Sequence, residues 1–382
     1  MKKMVMPPAV IGIIGGGQLG RMMAIAAKEM GFKIAVLDPS ENGPCAQVAD
    51  FTIQTAYDDE KGLAELAELS DVITYEFENI DYESLKKLSE KAYVPQGAEL
   101  IKVTQNRQFE KDSLTKANVP TASYKIIENE QQLYDMIGTF VFPMLLKTIT
   151  GGYDGKGQVK LNSEDDMPEA AQLICQNGTC ILEAFVDFDC EISVIVHRNA
   201  QGETVTQPIA ENIHENQILH ASIVPARVEK SIKADAIRLA KQVADQLQLV
   251  GTLAVEMFVG KEGELYVNEL APRPHNSGHY SIEATSASQF RQHIRAVVNW
   301  PLPDSDLLKP AVMVNLLGQH VQPALTAIAD YPHWSLHLYG KDEAKLNRKM
   351  GHITILTDDL EKTLHEIEAS DVWTPAVEEA QR

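Results

Sequence analysis

The sequence is poor in cysteine, in aromatic residues and in positive charge, and it has no long apolar run. Its four cysteines, Cys45, Cys175, Cys180 and Cys190, show neither C-x-x-C spacing nor a companion histidine cluster. That pattern argues against a disulfide framework and against a structural zinc site. Lys and Arg number 34 against 54 Asp and Glu, a formal net charge of -20. Nucleic acid and anionic membrane surfaces both require a basic face, so neither is expected as a partner. An anionic small molecule stays open, provided that positive groups are gathered in one cleft. No apolar stretch approaches the length of a membrane span, and Pro7, Pro8 and a glycine turn interrupt the N-terminal MKKMVMPPAVIGII before a signal core can form. The expectation is a soluble, cytoplasmic protein.

What is present is enough apolar material for several cores: 382 residues, 44% of them hydrophobic, support two or three globular domains. The first hundred residues alternate strand and helix patterns: AVIGII, QLGRMMAIAAKEM, KIAVLD, EKGLAELAEL, DVITYE, SLKKLSEK. This is the texture of a parallel, doubly wound α/β sheet. A helix is expected over 107–116. From residue 123 to 271 strands dominate, with helices near 130–137, 164–174 and 234–246, an α+β texture. The proline-rich PLPDSDLLKP reads as a linker into a small third domain that starts at AVMVNLLG.

In GIIGGGQLGRMM, Gly15, Gly17 and Gly20 fit G-x-G-x-x-G, and Asp38 follows Gly20 by eighteen residues at the end of a second strand. That is the layout of a dinucleotide site. The motif fits equally well a tight turn whose glycines let a helix pack close to the sheet.

A second glycine-rich segment, LLKTITGGYDGKGQVKL, runs from one strand into another. It is therefore neither a Walker loop nor a Rossmann turn, both of which open a helix. A glycine hairpin with lysines on both sides can close over phosphates.

The sharpest signal is TLAVEMFVGKEGELYVNELAPRPHNSGHY. If the turn in KEGE is symmetric about Glu262 and Gly263, Glu256 faces Glu269 across a hairpin, while Leu253, Val255, Met257 and Val259 take the other face. Two carboxylates about 5 Å apart repel by roughly 3 kcal/mol at an effective dielectric near 20. A magnesium ion bridging nucleotide phosphates would relieve this, with Asn268 as a neutral oxygen ligand beside it. A protonated carboxyl or a nearby arginine would do the same.

Taken together, GIIGGGQLGRMM, TYEFENI, KTITGGYDGKGQ, VNELAPRPHNSGHY and YGKDEAKLNRKMGH resemble the ATP-grasp superfamily, and within it the ATP-dependent ribonucleotide carboxylases of purine biosynthesis. The likeness runs from residue 11 to beyond 350. It implies a Rossmann-like pre-ATP-grasp domain over 1–105 and an ATP-grasp domain over 106–300 with a mobile lid at about 122–186. A small β-rich C-terminal domain over 301–382 completes the substrate site.

The implied reaction joins ATP, bicarbonate and aminoimidazole ribonucleotide, through carboxyphosphate, into the N-carboxylated ribonucleotide, with ADP and phosphate released. Its rivals are another ATP-grasp carboxylate-amine ligase such as the formate-dependent glycinamide ribonucleotide transformylase, a biotin carboxylase subunit, a dehydrogenase, and a noncatalytic nucleotide-binding regulator. The resemblance also implies two magnesium ions (manganese being the alternative), a homodimer, and a downstream mutase that takes the product.

By the same resemblance, Arg107 and Lys147 contact nucleotide phosphates, and Gly152, Tyr153, Asp154, Gly155, Lys156, Gly157 and Gln158 form the closing loop. Glu183, Ala184, Phe185 and Val186 form the adenine hinge, Glu191 accepts the ribose hydroxyls, and His214 belongs to the nucleotide site. Glu256 and Glu269 hold metal. Arg273, His275 and Asn276 bind bicarbonate, and Asp154, His275 or the intermediate's own phosphate could take the amine proton. Gln18, Leu19, Glu76, Tyr153, Lys341 and Arg348 bind the ribonucleotide, the last two its phosphate. The glycine turn is then part of a substrate cleft rather than a nicotinamide site, and Asp38 a strand-end residue. Two departures from the family pattern, Asn106 where aspartate is common and Ile149 where a basic or small residue is common, touch only local nucleotide affinity.

Overall fold

The protein is described by a computed structural model covering residues 4–151 and 157–373. Its N-terminal sheet has the parallel order β3-β2-β1-β4, built from β1 (Val10–Ile14), β2 (Lys33–Asp38), β3 (Phe51–Gln54) and β4 (Val72–Tyr75). Of these, β3 is short and mostly exposed, and carries no clear period in the sequence. The helices Gln18–Glu29 and Glu60–Leu69 return the chain between β1 and β2 and between β3 and β4, and Tyr82–Ser89 follows β4. Asp59 and Asp81 start the latter two by accepting the N–H groups of Gly62 and Ser84.

The helix Arg107–Lys116 lies where the sequence places it. Asn106 caps it by accepting the N–H groups of Gln108 and Phe109, so the departure from aspartate keeps the capping geometry.

A second, antiparallel sheet has the order β5-β8-β6-β7, from β5 (Tyr124–Ile127), β6 (Met144–Thr148), β7 (Gln158–Leu161) and β8 (Cys180–Ala184). Lys147 pairs with Gln158, so the glycine-rich segment does join two neighbouring strands. The helix expected from 164 starts as a 3-10 turn, Glu164–Asp166, under a Ser163 capping box, and becomes α-helical over Met167–Asn177.

The largest sheet holds nine strands: β9 (Phe188–Arg198), β10 (Thr204–Thr206), β11 (Ala210–Glu215), β12 (Ile218–Val224), β13 (Gly251–Gly260), β14 (Leu265–Ala271), β15 (Ala311–Leu317), β16 (Trp334–Leu338) and β17 (Lys349–Leu356). Their order is β14-β13-β9-β11-β12-β15-β17-β16, with β10 on β9. The strands beyond the proline-rich linker thus extend the central sheet, because β15 pairs antiparallel with β12. The helix Lys230–Gln246 covers one face, where Leu239, Val243, Val255, Met257 and Leu270 share a core.

The β13–β14 hairpin differs from a symmetric turn in one respect. Its tip is centred on Glu262, since Phe258 pairs with Tyr266 and Val259 with Leu265, a register that alone would set Glu256 opposite Asn268. A bulge shifts the register by one residue, and Glu256 pairs with Glu269. Val267 and Leu270 both enter the core, so Asn268 and Glu269 between them both face the cleft.

Candidate active site

The glycine turn is filled by the protein's own carboxylates. Glu76, just past β4, accepts the N–H groups of Gly17 and Gly20 at the start of the helix Gln18–Glu29. Asp38 accepts the N–H groups of Gly16 at 2.6 Å and Ser40 at 2.8 Å, and the hydroxyl of Tyr57 at 2.7 Å. A pyrophosphate would need those same N–H groups, and two buried carboxylates already hold them. Burial raises the Glu76 carboxyl above the usual range, against the pull of the Gly20 and Gly17 N–H groups. A cavity of about 240 Å³ opens beside this turn, walled by Gln18, Leu19, Glu76 and Phe77 on one side and by Arg273, His275, His279 and Lys349 on the other.

A larger cavity of about 430 Å³ adjoins it and shares Glu78, Arg273, His275, Asn276 and Lys349. Its walls bring together Arg107, Lys147, Gln158, Glu191, His214, Glu256, Asn268, Glu269, Arg273, His275 and Asn276, which the sequence spreads over 170 positions. Arg107 is placed by its N–H, donated to Ile149 O at 2.9 Å. Gly157 O accepts the Thr148 N–H at 2.8 Å and closes the base of the β6–β7 loop. Residues Gly152, Tyr153, Asp154, Gly155 and Lys156 lie outside the described residues.

Next to Lys147 a narrow slot is lined by Ala184, Phe185 and Val186, with Leu145, Phe188 and Phe258 as apolar walls. The rings of Phe188 and Phe258 stack at 4.5 Å. Glu183 also lines this slot, with its carboxylate engaged by two lysines. It bridges Lys111 at 2.8 Å and Lys147 at 2.5 Å, and the two ammonium groups overcome burial to hold its carboxyl down at about 2.

Across the cavity, Glu191 approaches His214 Nδ1 at 3.2 Å, and burial pushes the Glu191 carboxyl up to about 7. Glu256 is pushed up to about 8, first by burial and then by the facing Glu269 and by Glu191. An acceptor-rich pair of facing carboxylates is what a divalent cation neutralises, and Asn268, kept on the same side as Glu269 by the bulge, adds an oxygen. These residues fit magnesium. Among the described residues no group of three or more His, Cys, Asp or Glu is arranged to hold a metal by itself.

The loop after β14 is stiffened by Pro272 and Pro274. Arg273 is ion-paired to Glu78 through Nε–Oε2 at 2.5 Å and Nη2–Oε1 at 3.1 Å. His275 Nδ1 accepts the Ser277 N–H at 3.3 Å, which puts the ring proton on Nε2, facing Glu256 Oε1 at 3.2 Å. Burial and the Arg273 charge keep this imidazole neutral. Lys341 donates to Lys349 O at 2.7 Å, and burial, then Arg348, lower its ammonium to about 8. Arg348 is exposed and donates to Glu343 O; neither it nor Lys341 lines the two cavities.

Sequence reasoning missed Glu78, Lys111, Phe258 and Lys349. Glu78 stands two residues beyond Glu76 in TYEFENI, and Lys349 directly follows Arg348, so the segments were found but not the particular side chains.

Three family models cover the chain in turn: the ribonucleotide synthetase preATP-grasp domain over 8–105, the ATP-grasp domain over 112–290 and the phosphoribosylaminoimidazole carboxylase C-terminal domain over 311–366. The N5-carboxyaminoimidazole ribonucleotide synthase of Bacillus subtilis is 53% identical over 366 residues, 96% of each chain. The chain belongs to the N5-carboxyaminoimidazole ribonucleotide synthase family. A solved ADP complex of a synthetase of this family matches with a TM-score of 0.95 and 56% identity over 98% of this chain and 99% of that one. The family's Aspergillus clavatus member, solved with ADP and 5-aminoimidazole ribonucleotide, matches with a TM-score of 0.88 and 31% identity over 95% and 98%. As a family member the chain is an ATP-grasp ligase, with the mixed α/β architecture that the sequence leads one to expect. No described helix is long and apolar enough to cross a membrane.

Proposed function

We propose that the chain carboxylates the amine of 5-aminoimidazole ribonucleotide at the expense of ATP, using bicarbonate, in purine biosynthesis. The observation that carries this reading is the joined pair of cavities. One has the cations, hinge and paired carboxylates of a nucleotide site, the other lies on the glycine turn, and Arg273, His275, Asn276 and Lys349 form their common wall.

ATP occupies the larger cavity, with adenine in the slot between Leu145 and Phe258 and phosphates toward Arg107 and Lys147. Glu256, Glu269 and Asn268 hold magnesium, which neutralises phosphate charge when bound. Bicarbonate sits at the shared wall. Its oxygen attacks the γ-phosphorus, ADP leaves, and carboxyphosphate results. The ribonucleotide amine then bonds to the carboxyl carbon, directly or after carbon dioxide has been released, phosphate departs with the C–O electron pair, and the amine gives up a proton.

The shared wall makes this possible: a labile acyl phosphate formed in one cavity reaches the amine in the other without crossing solvent. Arg273 supplies a fixed guanidinium beside the anion, and Lys349 a second cation facing both cavities. Glu76, held rigidly by Gly17 and Gly20, accepts from the ribonucleotide, and Lys341 with Arg348 takes its phosphate. The divisions at residues 105 and 300, the lid over 122–186 with Gly152–Lys156 closing on phosphates, the homodimer and hand-over of the product to a mutase are parts of the same proposal.

The test is phosphate release from ATP and magnesium, with bicarbonate and the ribonucleotide added singly and together, for the natural chain and for Glu269→Gln. Turnover that needs both and collapses in the variant is expected. Stimulation by a different acid or amine would replace the substrate and keep the fold.

A further inference from the structure

The loop 272–276 is held by three buried side-chain amides, one from each part of the chain. Gln289 is fully buried at the start of the helix Gln289–Val297. Its Oε1 accepts the His275 N–H at 2.8 Å, and its Nε2 donates to the His275 carbonyl at 2.8 Å and lies 3.0 Å from His279 Nδ1. It thus pairs with both the N–H and the C=O of one residue, as a residue of a neighbouring antiparallel β-strand would. Turning the amide over would set donor against donor and acceptor against acceptor, so its orientation is fixed by its partners. Gly278 leaves the room for it, since a Cβ there would lie 2.6 Å from Gln289 Oε1.

Asn315 on β15 is as deeply buried and pairs amide to amide with Asn276: Oδ1 accepts from Asn276 Nδ2 at 2.9 Å and Nδ2 donates to Asn276 Oδ1 at 2.8 Å. A further bond from Asn315 Nδ2 to Leu219 O, at 2.7 Å, sets which end of its amide is the nitrogen. The same choice then passes to Asn276. From the N-terminal side, Gln96 donates to Pro272 O at 3.3 Å while accepting the Thr74 hydroxyl.

We propose that Gln289 and Asn315 are positioning residues for bicarbonate, Gln289 by fixing the His275 main chain and Asn315 by fixing which face of the Asn276 amide presents its N–H to the anion. This rests on the assignment of Arg273, His275 and Asn276 to bicarbonate. Neither residue lines either cavity, so they act through the loop alone. The physical reason is that a small anion gains from donors already in place, and a loop with two prolines still needs its peptide planes and amide rotor defined.

The experiment is steady-state phosphate release with bicarbonate and ATP varied separately, on Gln289→Leu, Gln289→Glu and Asn315→Asp, with melting curves to establish folding and Arg273→Lys as the reference for the anion site. In each Gln289 and Asn315 variant the bicarbonate KM should rise about tenfold or more, with the ATP KM within about twofold. Gln289→Glu keeps the shape and tests the donor even if the leucine variant fails to fold. Its relative activity should recover as pH falls, because a protonated carboxyl again donates to the His275 carbonyl. If both KM values rise together, or neither moves, in a folded variant while Arg273→Lys raises the bicarbonate KM, the positioning role is overturned. If Arg273→Lys also leaves the bicarbonate KM unchanged, the bicarbonate assignment itself falls.

Discussion

The guanidinium of Arg273 is grasped by both carboxylate oxygens of Glu78, 195 residues earlier in the chain. The pair ties the loop 272–276 to the segment that follows β4 and places a cation in the wall shared by the two cavities. Burial raises the Glu78 carboxyl, but Arg273 outweighs it and the net shift is downward. A carboxyl lowered in the folded state contributes stability that is present above its unfolded pKa and lost as pH falls through the folded one. Glu78→Gln should therefore flatten the acid limb of the stability curve below about pH 4.5, and should reduce kcat/KM for bicarbonate more than for ATP. Thermal melts against pH and initial rates check both parts.

Lys111 is 2% exposed and ion-paired to Glu183, which also holds Lys147. Lys111→Met should destabilise the fold by about 3 kcal/mol, because a buried carboxylate loses one of two compensating charges. The ATP KM should rise with it, since Glu183 then draws Lys147 more fully away from phosphate. Denaturant melts and ATP-dependent rates measure the two effects; an unchanged midpoint would contradict the bridge.

Gly17 has φ -79°, a value any residue accepts, so space alone demands glycine there. A Cβ would stand 2.6 Å from Glu76 Oε1. Gly17→Ala should displace the Glu76 carboxylate and raise the ribonucleotide KM about tenfold with little change for ATP, at a stability cost of about 1–3 kcal/mol. NADH fluorescence should stay unchanged on adding the natural chain.

Lys341, lowered to about 8 by burial and by Arg348, is predicted to lose its proton within the working range. The protonated form is the one that attracts phosphate, so the ribonucleotide KM should increase as pH rises through about 8. In Lys341→Arg that inflection should vanish, because guanidinium keeps its charge.

Magnesium should raise the melting temperature of the natural chain, and Glu269→Gln should abolish most of that rise while leaving the metal-free protein at least as stable, since one of two facing carboxylates is gone.

The paired glutamates were legible because period-two burial sorts a hairpin's residues onto two faces. The bulge was not, although Asn268 and Glu269 both face the cleft only because of it: one extra residue leaves no mark on composition. Helices with a capping residue were readable to the residue: Glu60–Leu69, which also has a clear apolar stripe, and Arg107–Lys116, which follows the Asn106 cap. Glu78 was hidden because TYEFENI carries two acids, and only contact with Arg273 separates them. Lys349 was hidden for a similar reason, since β17 begins at that residue and alternation sends its neighbour Arg348 outward. The pairing of β12 with β15 joins segments some ninety positions apart through backbone groups, which every sequence possesses.

That last pairing gives the C-terminal strands a second office. Beside β12, β15 covers a row of main-chain donors and acceptors on a strand whose residues 221–224 are buried. Without its neighbour β12 would be a bare, apolar border, the kind of margin that recruits foreign strands. The C-terminal strands, which place Lys349 in the wall of both cavities, are thus also the seal on the sheet that carries Glu256 and Glu269.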